Sequence, residues 1–215
     1  MIKKILILLL FCTSLEYSQS DNFRNDYILK FSTLDLFTGF QYQSSTIQFG
    51  VEKGISSDMS IYTEVGYLFH LYKKPDLLII DLKNSSGFAI ETEVRKYIGE
   101  EKSKFIGQYF SIDFLYRYVD GKDEQWVSDN RKEGYSIFRN EGAIHIKYGY
   151  QNISLAGFVS DFSIGLGLRN ISSKTDSKYP LSMLEYEFPY NKPFETGSRT
   201  FISATAAIRI GWSIK

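Results

Sequence analysis

The chain has 215 residues, 25 Lys and Arg against 25 Asp and Glu, and an aromatic share of 16% that rests on 16 Tyr and 17 Phe. That length suits one domain, and a net charge of zero argues against a nucleic-acid partner. A single cysteine, Cys12, excludes a disulfide framework, so stability must come from closure of a sheet, from burial or from lipid.

Residues 1–20 read as an export leader. Lys3 and Lys4 give a positive start, Ile5 to Phe11 form an unbroken apolar run, and small or polar residues follow. Ser18 and Ser20 supply the small side chains for a cut ahead of Asp21, with a cut before Gln19 as the competing position. The run is too short to cross a bilayer as a helix, and the bulky Phe11 before Cys12 argues against lipidation, which wants a small residue there. Cleavage removes Lys3, Lys4 and Glu16, which leaves 23 basic and 24 acidic residues in a cysteine-free domain over 21–215.

No later segment is apolar enough for a transmembrane helix; the cluster Leu77 to Ile80 is ended by Asp81. The chain shows instead a repeated period-two alternation, the mark of strands with one apolar and one polar face. The first such stretch, Tyr27 to Phe37, sets Leu29 and Phe31 against Lys30 and Ser32, with Asp35 breaking the parity and pointing to a bulge or strand end. Then Ile47, Phe49 and Val51 alternate with Gln48, Gly50 and Glu52, and after a tight turn over 54–58 the pattern resumes from Met59 to Phe69. Phe88, Ile90, Thr92 and Val94 alternate with Glu91, Glu93 and Arg95, and Phe110 to Tyr118 alternates around Ser111, Asp113 and Arg117. Ile144 to Tyr150 and Phe158 to Leu168 form a further pair across a turn at 152–156, and Thr200 to Ile214 closes the series. The pattern predicts an all-β fold, a closed antiparallel up-and-down transmembrane β-barrel of eight strands. Ten strands is the alternative if Leu77 to Leu82 adds to the sheet.

Connections alternate in length. Stretches near 38–45, 71–86, 120–141 and 171–198 are long, whereas 54–58, 99–107 and 152–156 are short, as outer-membrane barrels show. Pro75, Pro180, Pro189 and Pro193 all fall in long connections, consistent with the poor fit of proline in a ladder.

Alternation alone leaves open which face meets lipid or water. The leader, the two loop classes, the aromatics suited to interface girdles and the balanced polar parity favour lipid outside and charge inside. Six acids lie on that parity, Glu52, Glu64, Glu91, Glu93, Asp113 and Asp161. Six bases match them, Lys30, Arg95, Arg117, Lys147, Arg169 and Arg209, and His145 shares the face. An eight-strand barrel is filled by its own side chains, so these groups are expected to pair in a narrow lumen that is not an open porin.

In this order, Ile28-Leu29-Lys30-Phe31-Ser32, Phe49-Gly50-Val51-Glu52-Lys53, Glu93-Val94-Arg95-Lys96-Tyr97, Gly165-Leu166-Gly167-Leu168 and Arg209-Ile210-Gly211-Trp212 resemble the small outer-membrane barrels of the OmpA and OmpX type. The similarity is closer to uncharacterised barrels of Bacteroidetes. It implies a Gram-negative outer-membrane location, contact with lipid and lipopolysaccharide, and insertion by the barrel-assembly machinery, for which Trp212 stands nearest to the terminal aromatic usually read. The protein is expected to act as a monomer in a structural or interaction role. A secreted soluble lipocalin-like binding barrel is the second reading, and an outer-membrane lipid-modifying enzyme the third.

Chemistry-bearing motifs are absent. His70 and His145 have no metal-ligand spacing, and neither His145-Ile146-Lys147 nor His70-Leu71-Tyr72 matches the His-x-Ser arrangement of lipid deacylases. Gly165 and Gly167 lack the third glycine of a dinucleotide loop, Asn170 standing in its place. The expectation is therefore no catalytic residue, metal or cofactor. The aromatic loop over 179–194, with Tyr179, Tyr186, Phe188, Tyr190 and Phe194, is a candidate interaction surface or a plug folded over the mouth.

Overall fold

The structure, a computed structural model, describes residues 27–34, 45–69, 84–99, 105–128, 131–176 and 197–214. Its strands are Tyr27–Ser32 (β1), Ser45–Gly54 (β2), Met59–Phe69 (β3), Asn84–Ile98 (β4), Gly107–Ser128 (β5), Arg131–Ile153 (β6), Phe158–Thr175 (β7) and Gly197–Ile214 (β8). Each pairs antiparallel with the next, and β1 also pairs with β8, so the sheet closes into an eight-strand up-and-down barrel. The segment from Leu77 to Leu82, which carried the ten-strand alternative, and the leader over 1–20 lie outside the described residues.

The register fixes the dimensions. A registered row starting at Ile28 runs through Glu52, Tyr62, Glu93, Asp113, His145 and Gly167 to Ser203 on β8. On the seam, however, Ile28 faces Ser213, so one turn of the barrel climbs by the ten residues that separate Ser203 from Ser213. With a rise of ~3.3 Å per residue and ~4.8 Å between strands, this stagger corresponds to a tilt of roughly 40° and a backbone radius of about 8 Å, too narrow for an aqueous bore.

Two predicted connections are shorter than expected. The stretch 120–141 is mostly hairpin, because β5 runs to Ser128 and β6 starts at Arg131. Likewise β7 continues to Thr175 and β8 begins at Gly197, inside the predicted 171–198 loop. These extensions carry charge and Ser or Asn on both parities, so they lack the apolar contrast by which the other strands announce themselves. The predicted first strand is trimmed to Ser32, and the segment around Asp35 lies outside the described residues.

The apolar parity points outward and the charged parity inward. Ile146, Ile164, Leu166 and Ile202 are 65–80% exposed, whereas Arg95, Lys147 and Arg209 are at most 1% exposed. On β7 the outward residues Phe158, Phe162, Ile164, Leu166 and Leu168 span eleven residues with only Ser160 among them polar, which at the strand tilt is roughly 25 Å along the barrel axis. Rings cluster toward its two ends. Trp212 meets Phe158 edge-on at 5.3 Å near the short turns, and Phe88 lies 6.0 Å from Tyr116 and 5.8 Å from Tyr118 toward the long connections. Beyond the band the outward residues turn polar, and Asn170 donates to Ser198 Oγ at 3.2 Å and Thr200 Oγ1 at 2.8 Å.

Candidate functional site: the charged lumen

The interior is built in tiers by period-two parity. At the short-turn end Ile28, Tyr97, Phe105, Tyr109 and Val159 form an apolar floor. Phe105 adopts φ 57°, a left-handed conformation that costs an aromatic residue about 1 kcal/mol or more, yet its ring is buried 5.3 Å from that of Tyr97. The strain is offset by closing the bottom of the barrel. Nothing in the charged stretch Glu100 to Lys104 announced this role.

Above the floor lie all six predicted acids with Lys30, Arg95, Lys147 and Arg209, each at 9% exposure or less. Lys30 bridges Glu52 at 2.6 Å and Asp161 at 2.7 Å. Arg95 reaches Glu93 at 2.7 Å, Asp161 at 2.8 Å and Glu52 at 3.3 Å. Arg209 contacts Glu91 and Glu93, both at 2.8 Å, and Glu64 at 3.3 Å. Tyr62 is the hub: its hydroxyl donates to Glu64, while Lys30, Arg95 and Arg209 stand 4.6–4.9 Å from its ring centre. Gly50 opposite makes this possible, since a Cβ there would sit 2.4 Å from the Tyr62 hydroxyl oxygen. The hydroxyls of Tyr97 and Tyr109 cap the network by donating to Glu52 and Asp161, each at 2.6 Å.

The carboxylates of Glu91, Glu93 and Asp113 lie within 4.8 Å of one another, a spacing compatible with a metal ion. Lys147 Nζ already sits among them, at 2.6, 3.0 and 3.2 Å, so an ammonium group takes the place such an ion would need. His145 lies beside this cluster, with Nδ1 3.0 Å from Asp113 Oδ2 and Nε2 2.8 Å from Ser203 Oγ.

Leu68, Ala89, Leu115 and Ala143 then line the wall, and beyond them a second group gathers on Glu141. Arg169 bridges Glu141 at 3.1 Å, Arg139 at 3.7 Å and Arg117 at 3.8 Å. The thirteen predicted lumen residues thus all face inward, but they divide. Arg117 and Arg169 leave the main network for the Glu141 cluster, whose Arg139 and Glu141 fell in the stretch read as loop. Sequence reasoning also passed over Tyr62, Tyr97, Tyr109, Gln151 and Ser203, although all five share the polar parity. The loop aromatics Tyr179, Tyr186, Phe188, Tyr190 and Phe194 lie outside the described residues.

Comparison with known proteins adds a family but no activity. No curated protein and no solved structure matches the chain. A family model described as a protein of unknown function, DUF3575, matches residues 6–214, nearly the whole length, and the chain therefore belongs to the DUF3575 family.

Proposed function

We propose that this protein is an exported outer-membrane barrel of the OmpA and OmpX kind with a structural or interaction role, its lumen plugged rather than conducting. The observation that carries the reading is the inversion of the two faces: fully buried charge inside, and a continuous apolar band of roughly 25 Å outside, the height that hydrocarbon covers in such barrels. In water that band would be an exposed apolar surface far larger than soluble monomers carry. A lipocalin-like soluble barrel needs the opposite arrangement, with apolar side chains lining the cavity.

The aromatic clusters at both ends of the band fit interface girdles, and the polar Asn170 ladder beyond it fits the headgroup region. The Phe105 floor and the Tyr62 hub support a lumen without a bore. Recognition falls to the extended β5–β6 hairpin and the long connections, where lipopolysaccharide and external partners are met. Insertion would follow the route of other such barrels, through the leader and the barrel-assembly machinery.

Cell fractionation combined with gel mobility before and after boiling tests this. The expected result is recovery with outer membrane and faster migration of the unboiled form. Recovery as a detergent-free soluble monomer would overturn it. In planar bilayers the folded protein is expected to give no steady conductance.

A further inference from the structure

One registered row crosses four consecutive strands as Asp113 on β5, His145 on β6, Gly167 on β7 and Ser203 on β8. The three side chains in this row hydrogen-bond in series, Asp113 Oδ2 to His145 Nδ1 at 3.0 Å and His145 Nε2 to Ser203 Oγ at 2.8 Å. A carboxylate that orients an imidazole, which in turn faces a hydroxyl, is the arrangement that turns serine into a nucleophile.

Gly167 is what lets the series form. His145 must reach across β7 to meet Ser203 two strands away, and a Cβ at Gly167 would stand 2.8 Å from His145 Cδ2 and 2.7 Å from its Cα. Any side chain at this position would occupy the path of the ring. With Nδ1 turned to the Asp113 carboxylate, Nε2 is the ring nitrogen that faces the Ser203 hydroxyl. Ser203 sits at the upper edge of the charged tier, 8% exposed, and the next inward residues above the row are Leu115 on β5, Ala143 on β6 and Arg169 on β7.

From this row we infer that Ser203 is an activated nucleophile, reactive toward short-chain acyl esters. Ser203 Oγ attacks the ester carbonyl carbon as its proton passes to His145 Nε2. The alcohol leaves with that proton, and water drawn by the freed Nε2 releases the carboxylic acid and restores Ser203. Ser203 and His145 are the catalytic residues, and Asp113 is a positioning residue. The inference goes beyond the membrane reading and does not depend on it, because the row lies inside the ring whatever covers the outside.

The test uses the folded full chain in detergent micelles, treated with a small alkyl fluorophosphonate. Ser203 Oγ would bond to phosphorus, fluoride would leave, and the hydroxyl proton would pass to His145. Peptide mass spectrometry is expected to find the adduct on Ser203, with labelling at least tenfold slower in His145→Gln. Asp113→Asn is expected to lower the limiting labelling rate while the probe concentration for half-saturation holds, a split that general loosening of the barrel would not give. Ser203→Cys provides an independent reading: the thiol is expected to be alkylated by iodoacetamide faster than Ser163→Cys, a buried position on the same inner wall. Absence of an adduct on folded protein, an adduct that persists in Ser203→Ala, or equal alkylation of the two cysteine variants would each overturn the assignment.

Discussion

The inner and outer walls of this barrel are made from the same strands, residue by residue in alternation, yet they are held by opposite physics. Inside, Arg95 is shut off from bulk solvent and is kept in place by three carboxylates and two tyrosine rings. One residue away, Val94 points outward, on a wall whose described side chains meet only neighbours on the same face of the sheet. The inner wall is therefore specific and intolerant of loss, whereas the outer wall, on the membrane reading proposed above, is interchangeable among apolar residues and intolerant only of charge.

The largest effect is expected at Arg95→Ala. Removing this guanidinium leaves Glu52, Glu93 and Asp161 short of a counter-charge in a buried site, a loss of about 3–5 kcal/mol. The urea midpoint of the folded barrel in lipid vesicles reads it, with exposed Lys122→Ala, expected within ~0.5 kcal/mol of the parent, as the control. An equal midpoint for the two variants would deny the inner wall its role.

Next comes Ile146→Arg, at the middle of the outward band and 67% exposed. Facing hydrocarbon, the arginine costs about 2–4 kcal/mol, measured by the same unfolding titration. Were that face wet, the substitution would be nearly silent, which makes it the sharpest probe of the difference between the walls.

Glu141→Gln should cost less, about 2 kcal/mol, because the Arg117 and Arg169 side chains that lean on it keep 10–11% exposure. The smallest effect is expected for Asn170→Ala, on the outer wall above the apolar band. It loses neutral hydrogen bonds to Ser198 and Thr200 at an exposed site, and a midpoint change under ~0.5 kcal/mol is anticipated.

The number of strands and the facing of their side chains were legible because Phe, Ile and Leu on one parity contrast with Glu, Arg and Gly on the other. That contrast exists only where one face is greasy. In Asp120 to Glu141 polar and apolar residues mix on both parities, so the upper parts of β5 and β6 looked like a loop and took Arg139 and Glu141 out of view. Parity also placed His145 and Asp113 on the polar side, where Ser203 falls too, but could not bring the three together. Their row depends on the stagger of four ladders, and register is written in pairings between distant segments. Phe105 was hidden for a different reason: its position depends on a left-handed backbone within a turn crowded by charge.

The seam between β1 and β8 has a consequence for assembly. Tyr27 is paired opposite Ile214, so this ladder joins the first and last of the described strands and closes the longest loop of any strand pairing among the described residues. Until that happens every intermediate carries two open edges, and a hairpin-by-hairpin route would leave β1, only six residues long, waiting for its second neighbour. Slow, all-or-none maturation, sensitive to anything that delays synthesis or delivery of the final strand, is the kinetic signature this geometry imposes.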